Sequence, residues 1–103
     1  MSERTALPIG SVVRVREGVE PVMIVIHCPV TEKDGKQGYF DFGAVSLPLG
    51  LINQNIIFFN KEDIDEVLFF GYIDRRFQDF LSRYDEEVSK ITYDHFTIED
   101  FKK

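Results

Sequence analysis

Between Leu7 and Leu81 the chain repeats one device. Short apolar runs (LPIGSVVRV, VMIVIHC, YFDFGAV, VLFFGYI) meet at glycines, and a single amphipathic segment follows them. Runs of this length, rich in β-branched and aromatic residues, read as strands rather than helices. Ser11 to Arg16 alternates, with Val13 and Val15 on one face and Arg14 and Arg16 on the other, as a half-buried strand does. Val22 to Cys28 is continuously apolar. It reads as a central strand covered on both faces, paired antiparallel with the first as a hairpin.

Pro29 to Gly38 is polar and reads as an exposed connection, the most mobile loop of the chain. Strand character resumes over Tyr39 to Val45, returns briefly within Asn55 to Phe59, and returns again over Val67 to Ile73. In that last run Gly71 marks a bulge or a close backbone approach. Asn60, with Glu62, Asp63 and Asp65 after it, reads as the cap of one or two helical turns whose acids sit near the positive end of the dipole.

From Asp74 the period changes from two to 3.6. Phe77, Phe80, Leu81, Tyr84, Val88 and Ile91 share one face, and Asp74 is placed to cap a helix over about 74–90. The expected fold is α+β: an antiparallel sheet of four or five strands, open or curled into a small barrel, with one C-terminal amphipathic helix packed on it. The 103 residues form one domain in this reading, with a core over about 7–91 and a tail, 92–103, that either docks or stays flexible.

Composition narrows the function classes. The net charge of -6, with twelve scattered basic residues, repels phosphate backbones, so nucleic acid is not an expected partner. A single cysteine, Cys28, closes no intramolecular disulfide and offers no zinc-finger spacing, which suits a reducing compartment. No run reaches the roughly 20 apolar residues of a membrane span, and the first residues lack a signal-peptide core. A cytoplasmic protein without a membrane partner is expected.

Catalytic chemistry finds little footing. His27 and Cys28, as strand neighbours, point to opposite faces, and His95 lies far along the chain. Glu62, Asp63, Asp65 and Glu66 lack the glycine and spaced oxygens of a calcium loop and read as a solvated helix start. Neither GxGxxG nor a Walker pattern is present. No catalytic residue, cofactor or metal is expected.

Asp41 sits among aromatics, where it either bonds backbone donors of a neighbouring loop, points outward at a sheet edge, or acts directly. Phe58 with Phe59, and Phe69 with Phe70, are consecutive, so one member of each pair faces away from the other. Either the sheet closes or the outward rings form a binding surface. The candidate partner-binding residues are therefore Phe58, Phe59, Phe69, Phe70, Tyr72 and Asp41.

LPIGSVV at 7–13, Met23 with Ile24, YFDFGAVSLPLG, and FFNKEDIDEVLFFGYID running into Phe80 and Leu81 together resemble a family of small bacterial proteins known as domain of unknown function 4176. The likeness spans about residues 7–81. Phenylalanines at 40 and 42, and Leu49 between Pro48 and Gly50 where the pattern has an acid, depart from it. The resemblance implies a setting beside type VII secretion loci of Gram-positive bacteria, near large LXG-type toxins. It implies an accessory protein or chaperone that binds a secreted toxin or a secretion component. An immunity protein is the alternative in the same setting, and a small enzyme of unknown reaction is the second alternative.

Overall fold

The structure, a computed structural model, describes residues 6–16, 18 and 20–98. The strands are β1 (Val12–Val15), β2 (Val22–His27), β3 (Val30–Lys33), β4 (Lys36–Tyr39), β5 (Phe42–Ser46), β6 (Ile57–Phe59), β7 (Ile64–Phe69) and β8 (Asp94–His95). A short 3-10 turn, Lys61–Asp63, joins β6 to β7, and the helix α1 spans Arg75–Ser89. The fold is α+β. One sheet has the order β6-β5-β2-β1-β7, antiparallel throughout, and a smaller one has the order β3-β4-β8. The larger sheet is open, with β6 and β7 as its edges, so it does not curl into a barrel.

The central strand expected at Val22 is β2, paired with β1 on one side and β5 on the other. Its Val22 and Ile24 join Val13, Phe42, Ala44 and Phe59 in the core, which Leu7, Val15, Ile57, Ile64 and Ile98 flank. Burial of such side chains contributes roughly 1.5–3 kcal/mol each before conformational entropy opposes it. This cluster lies on one face of the sheet, while β5 is buried on both, from Phe42 to Val45.

Three segments differ from the sequence reading. Pro29 to Gly38 is not a bare connection: β3 and β4 pair antiparallel through a turn at Asp34 and Gly35, both at positive φ (56° and 81°). Asp-Gly is the dipeptide that a tight hairpin turn with two left-handed residues selects. The strand expected over Tyr39 to Val45 is broken at Phe40 and Asp41, whose backbone instead bonds the Cys28–Pro29 corner (Cys28 N to Asp41 O, 2.9 Å; Phe40 N to Pro29 O, 3.1 Å). The turns expected after Asn60 shrink to one 3-10 turn, because Asp63 is drawn inward rather than solvated. Asp63 is 3% exposed, pairs with Arg16 Nε at 2.9 Å and accepts the Asn60 N–H at 2.9 Å.

β7 begins at Ile64, earlier than expected, and Gly71 lies beyond its end. There it answers the close-approach reading: a Cβ at Gly71 would stand 2.2 Å from Ile9 O. The Gly71 N–H donates to the buried Ser11 Oγ at 3.0 Å. The helix matches its expected span closely. Asp74 caps it, its carboxylate accepting the Phe77 N–H at 2.9 Å. Its stripe meets the end of β2, where Phe80 stacks on the His27 ring with centroids 5.0 Å apart, but none of the helix residues is fully buried.

Residues 92–98 dock. β8 pairs parallel with β4, and Phe96 is buried against Gly38, where an added Cβ would meet its ring at 2.6 Å. Residues 99–103 of the expected tail lie outside the described residues.

Candidate functional site

Two surfaces stand out. The first is the run Val67 to Ile73. A strand with a neighbour on one side only presents unpaired backbone groups, and β7 is an edge strand of this kind, paired to β1. Edge strands are commonly blunted by charge, and Asp65 and Glu66 supply it at the start of β7. Past them the chain turns apolar while staying exposed. Phe69 is 62%, Phe70 59% and Tyr72 76% exposed, with Val67, Leu68 and Ile73 exposed beside them. At ~150–250 Å² per aromatic residue the three rings alone leave roughly 300–500 Å² in water. An apolar patch of that size matches the largest found on ordinary monomers, a class of surface that is often functional.

The second is a pocket of about 460 Å³ between the C-terminal half of α1, the Tyr39–Phe42 corner and the His95 segment. Asn60 builds it from beneath. Its side-chain oxygen accepts the Asp41 N–H (2.9 Å) and the His95 Nε2–H (2.8 Å), and its Nδ2 donates to Phe96 O (2.8 Å). Those bonds fix which way the amide points, and with it the His95 tautomer: Nε2 carries the proton, since its other neighbour is Asp41 Oδ1 at 3.0 Å. The Asp41 carboxylate accepts the Lys61 N–H through its second oxygen at 2.9 Å. Bonding a backbone donor of a neighbouring loop was one of the readings open for Asp41. The His95 ring stacks on Tyr39 with centroids 4.6 Å apart.

His27 and Cys28 do not diverge as strand neighbours would. Cys28 has φ 54°, which ends β2 and turns its side chain toward the same helix that His27 meets. The His27 ring stacks on Phe80 (5.0 Å) and donates from Nε2 to Leu7 O (2.6 Å), while Cys28 Sγ and the Tyr84 hydroxyl lie 3.7 Å apart. Phe80 and Tyr84 are one turn apart on α1, so the corner after β2 is the seat of the helix. Burial pushes the Cys28 thiol up, with the nearby Asp41 charge adding to it against the lowering effect of the Tyr84 hydrogen bond. Burial also pushes the Tyr84 phenol strongly upward, helped by Cys28, and raises Tyr39, helped by Asp41. At neutral pH all three are protonated, and Cys28 is a poor nucleophile.

The six residues singled out from sequence thus separate. Phe69, Phe70 and Tyr72 form the exposed ridge. Phe59 is fully buried in the core, Phe58 stacks on buried Phe40 with centroids 5.6 Å apart, and Asp41 lies in the pocket. Sequence reasoning missed Asn60 as an organiser and His95 as its partner. The 35 residues between them carry no local signal of the contact. Among the described residues no cluster of three or more His, Cys, Asp or Glu is placed to hold a metal ion, and no helix is long and apolar enough to cross a membrane.

No curated protein and no solved structure matches the chain. A family model does match, across residues 6–80, which take in β1 to β7 and the first turns of α1. The chain belongs to the family described as domain of unknown function DUF4176.

Proposed function

We propose that this protein is a non-catalytic, cytosolic protein-binding factor, an accessory protein or chaperone for an LXG-type toxin exported by a type VII secretion system. The observation that carries the binding reading is the ridge. Phe69, Phe70 and Tyr72 stand in water at the end of an edge strand, where an added strand or an apolar surface would cover them. The secretion setting rests on the family resemblance. A thiol and two phenols held protonated beside Asp41 supply no activated nucleophile, which also favours binding over chemistry.

The test is co-expression with the neighbouring LXG toxin followed by affinity purification of either partner. A chaperone holds the toxin's N-terminal region and leaves toxicity unchanged, whereas an immunity protein holds the C-terminal toxic domain and rescues growth. Failure to co-purify any secretion component at micromolar concentration contradicts the proposal.

A small enzyme has one observation in its favour, the Asp41–His95 pair opening into a pocket. With Nε2 engaged by Asp41, Nδ1 is the basic nitrogen of His95. Turnover that survives purification and vanishes in His95→Gln would establish that reading instead.

A further inference from the structure

The pocket beside Asp41 is separate from the ridge and has its own chemistry. We propose that it is a recognition site for a guanidinium group, the arginine side chain of a polypeptide partner. That the guanidinium comes from a polypeptide rests on the protein-binding reading. The preference of the pocket for it does not.

Three independent features of the lining converge on a planar cation. Its walls are aromatic and apolar: the stacked Tyr39–His95 pair, the ring of Tyr84 and Val88. Guanidinium groups lie against such faces, gaining cation–π attraction while their weak hydration makes desolvation tolerable. Its charged groups are mostly acidic. Asp41 and Glu62 outnumber the one obligate cation, Lys61, so an anion entering the pocket meets no net attraction. The last turn of α1 also contributes. Val88 and Ser89 line the pocket at the carbonyl end of the helix, which bears the negative pole of the macrodipole.

Asp41 is the group best prepared to receive the ligand. Its Oδ1 shares the His95 Nε2–H with Asn60 Oδ1 and its Oδ2 accepts the Lys61 N–H, leaving one lone pair on each oxygen for further donors. Two parallel N–H groups in the fixed fork of a guanidinium match a carboxylate offered in this way, and the single ammonium of a lysine does not. A volume of about 460 Å³ also falls within the range of small-ligand clefts. Tyr84, Asp85, Val88, Ser89 and His95 lie outside the residues that the family model matches, so half of the lining is written in the part of this chain beyond that match.

The test is an NMR titration of the full chain, labelled with 15N, with Nα-acetyl-arginine methylamide, and in parallel with the isosteric but uncharged citrulline compound. The arginine probe is expected to give saturable shifts at Asp41, Lys61 and Tyr84 with a Kd on the order of millimolar, and the citrulline probe none. Glu62→Gln, an exposed change, should weaken binding about two- to fivefold. Asp41→Asn should weaken it by about tenfold or more. If Asp41→Asn loses its dispersed spectrum, Glu62→Gln together with the two probes on the natural chain decides. Absence of saturable shifts, equal shifts from citrulline, or no effect of Glu62→Gln overturns the assignment. Such a result leaves the ridge untouched, just as ridge variants that fail to alter partner binding leave the pocket untouched.

Discussion

Asn60 and His95, 35 residues apart, are joined by a 2.8 Å hydrogen bond between the Asn60 side-chain oxygen and His95 Nε2. The same amide holds Asp41 N and Phe96 O, so one fully buried side chain ties the turn after β6, the corner before β5 and the β8 segment together. Replacing it with alanine removes the partner of the buried Phe96 carbonyl and of the part-buried Asp41 N–H. Asn60→Ala should therefore lower unfolding stability by about 1–3 kcal/mol for each group left unsatisfied. Urea denaturation measures this through the midpoint at an unchanged m-value. Hydrogen exchange at Phe96, whose N–H bonds Tyr39 O, should accelerate most.

Cys28 and Tyr84 give stability a pH dependence on the alkaline side. Both groups are raised in the folded chain by burial. Below the ordinary thiol value of 9.0 each is protonated in both states, and the contribution is constant. Above it the unfolded chain releases the thiol proton first, and then the phenol proton above 10.0, so stability falls as pH rises through that window. Thermal melts from neutral to strongly alkaline pH should be level at first and then decline. Cys28→Ala should remove the earlier part of the decline and Tyr84→Phe much of the later part, to which the raised Tyr39 also contributes. Iodoacetamide should alkylate Cys28 of the folded chain more slowly than a free thiol at the same pH.

Gly71 has no room for a methyl group. A Cβ there would meet Ile9 O at 2.2 Å and Ser11 N at 2.8 Å, both of them backbone atoms without a rotamer to yield. Gly71→Ala should cost about 1–3 kcal/mol, in the range of overpacked sites, and should loosen the approach of the Ile9 corner to the end of β7. Gly35→Ala, with nothing within 4 Å but φ at 81°, tests strain alone. Denaturant titration of the two variants separates steric crowding from conformational cost.

The pattern of apolar runs specified β1, β2 and the helix because alternation, continuity and a 3.6 period are local properties of consecutive residues. The cap at Asp74 was equally legible. The β3–β4 hairpin was written in Asp34-Gly35 but masked by its polar strands, which pack against little and so carry no hydrophobic signature. Cys28 shows the limit most clearly. A positive φ at a non-glycine residue is dictated by tertiary contacts, and it turned a residue read as strand toward the helix. The pocket was not legible, since Asp41, Asn60 and His95 meet only after the β8 segment docks. The ridge was half legible: consecutive aromatics announced that some ring must face outward, but only sheet order shows that β7 is an edge and that Phe59 is interior.

The central claim is that the exposed aromatics after β7 grip a polypeptide. Phe70→Ser and Tyr72→Ser remove rings that are mostly in water, so each should shift stability by less than about 0.5 kcal/mol. The direct measurement is the amount of LXG toxin that co-purifies with the double variant, beside the natural chain at matched expression and with melting temperatures recorded for both. Loss of the toxin from a variant that melts like the natural chain is the expected result. Undiminished co-purification would contradict the ridge as the binding surface.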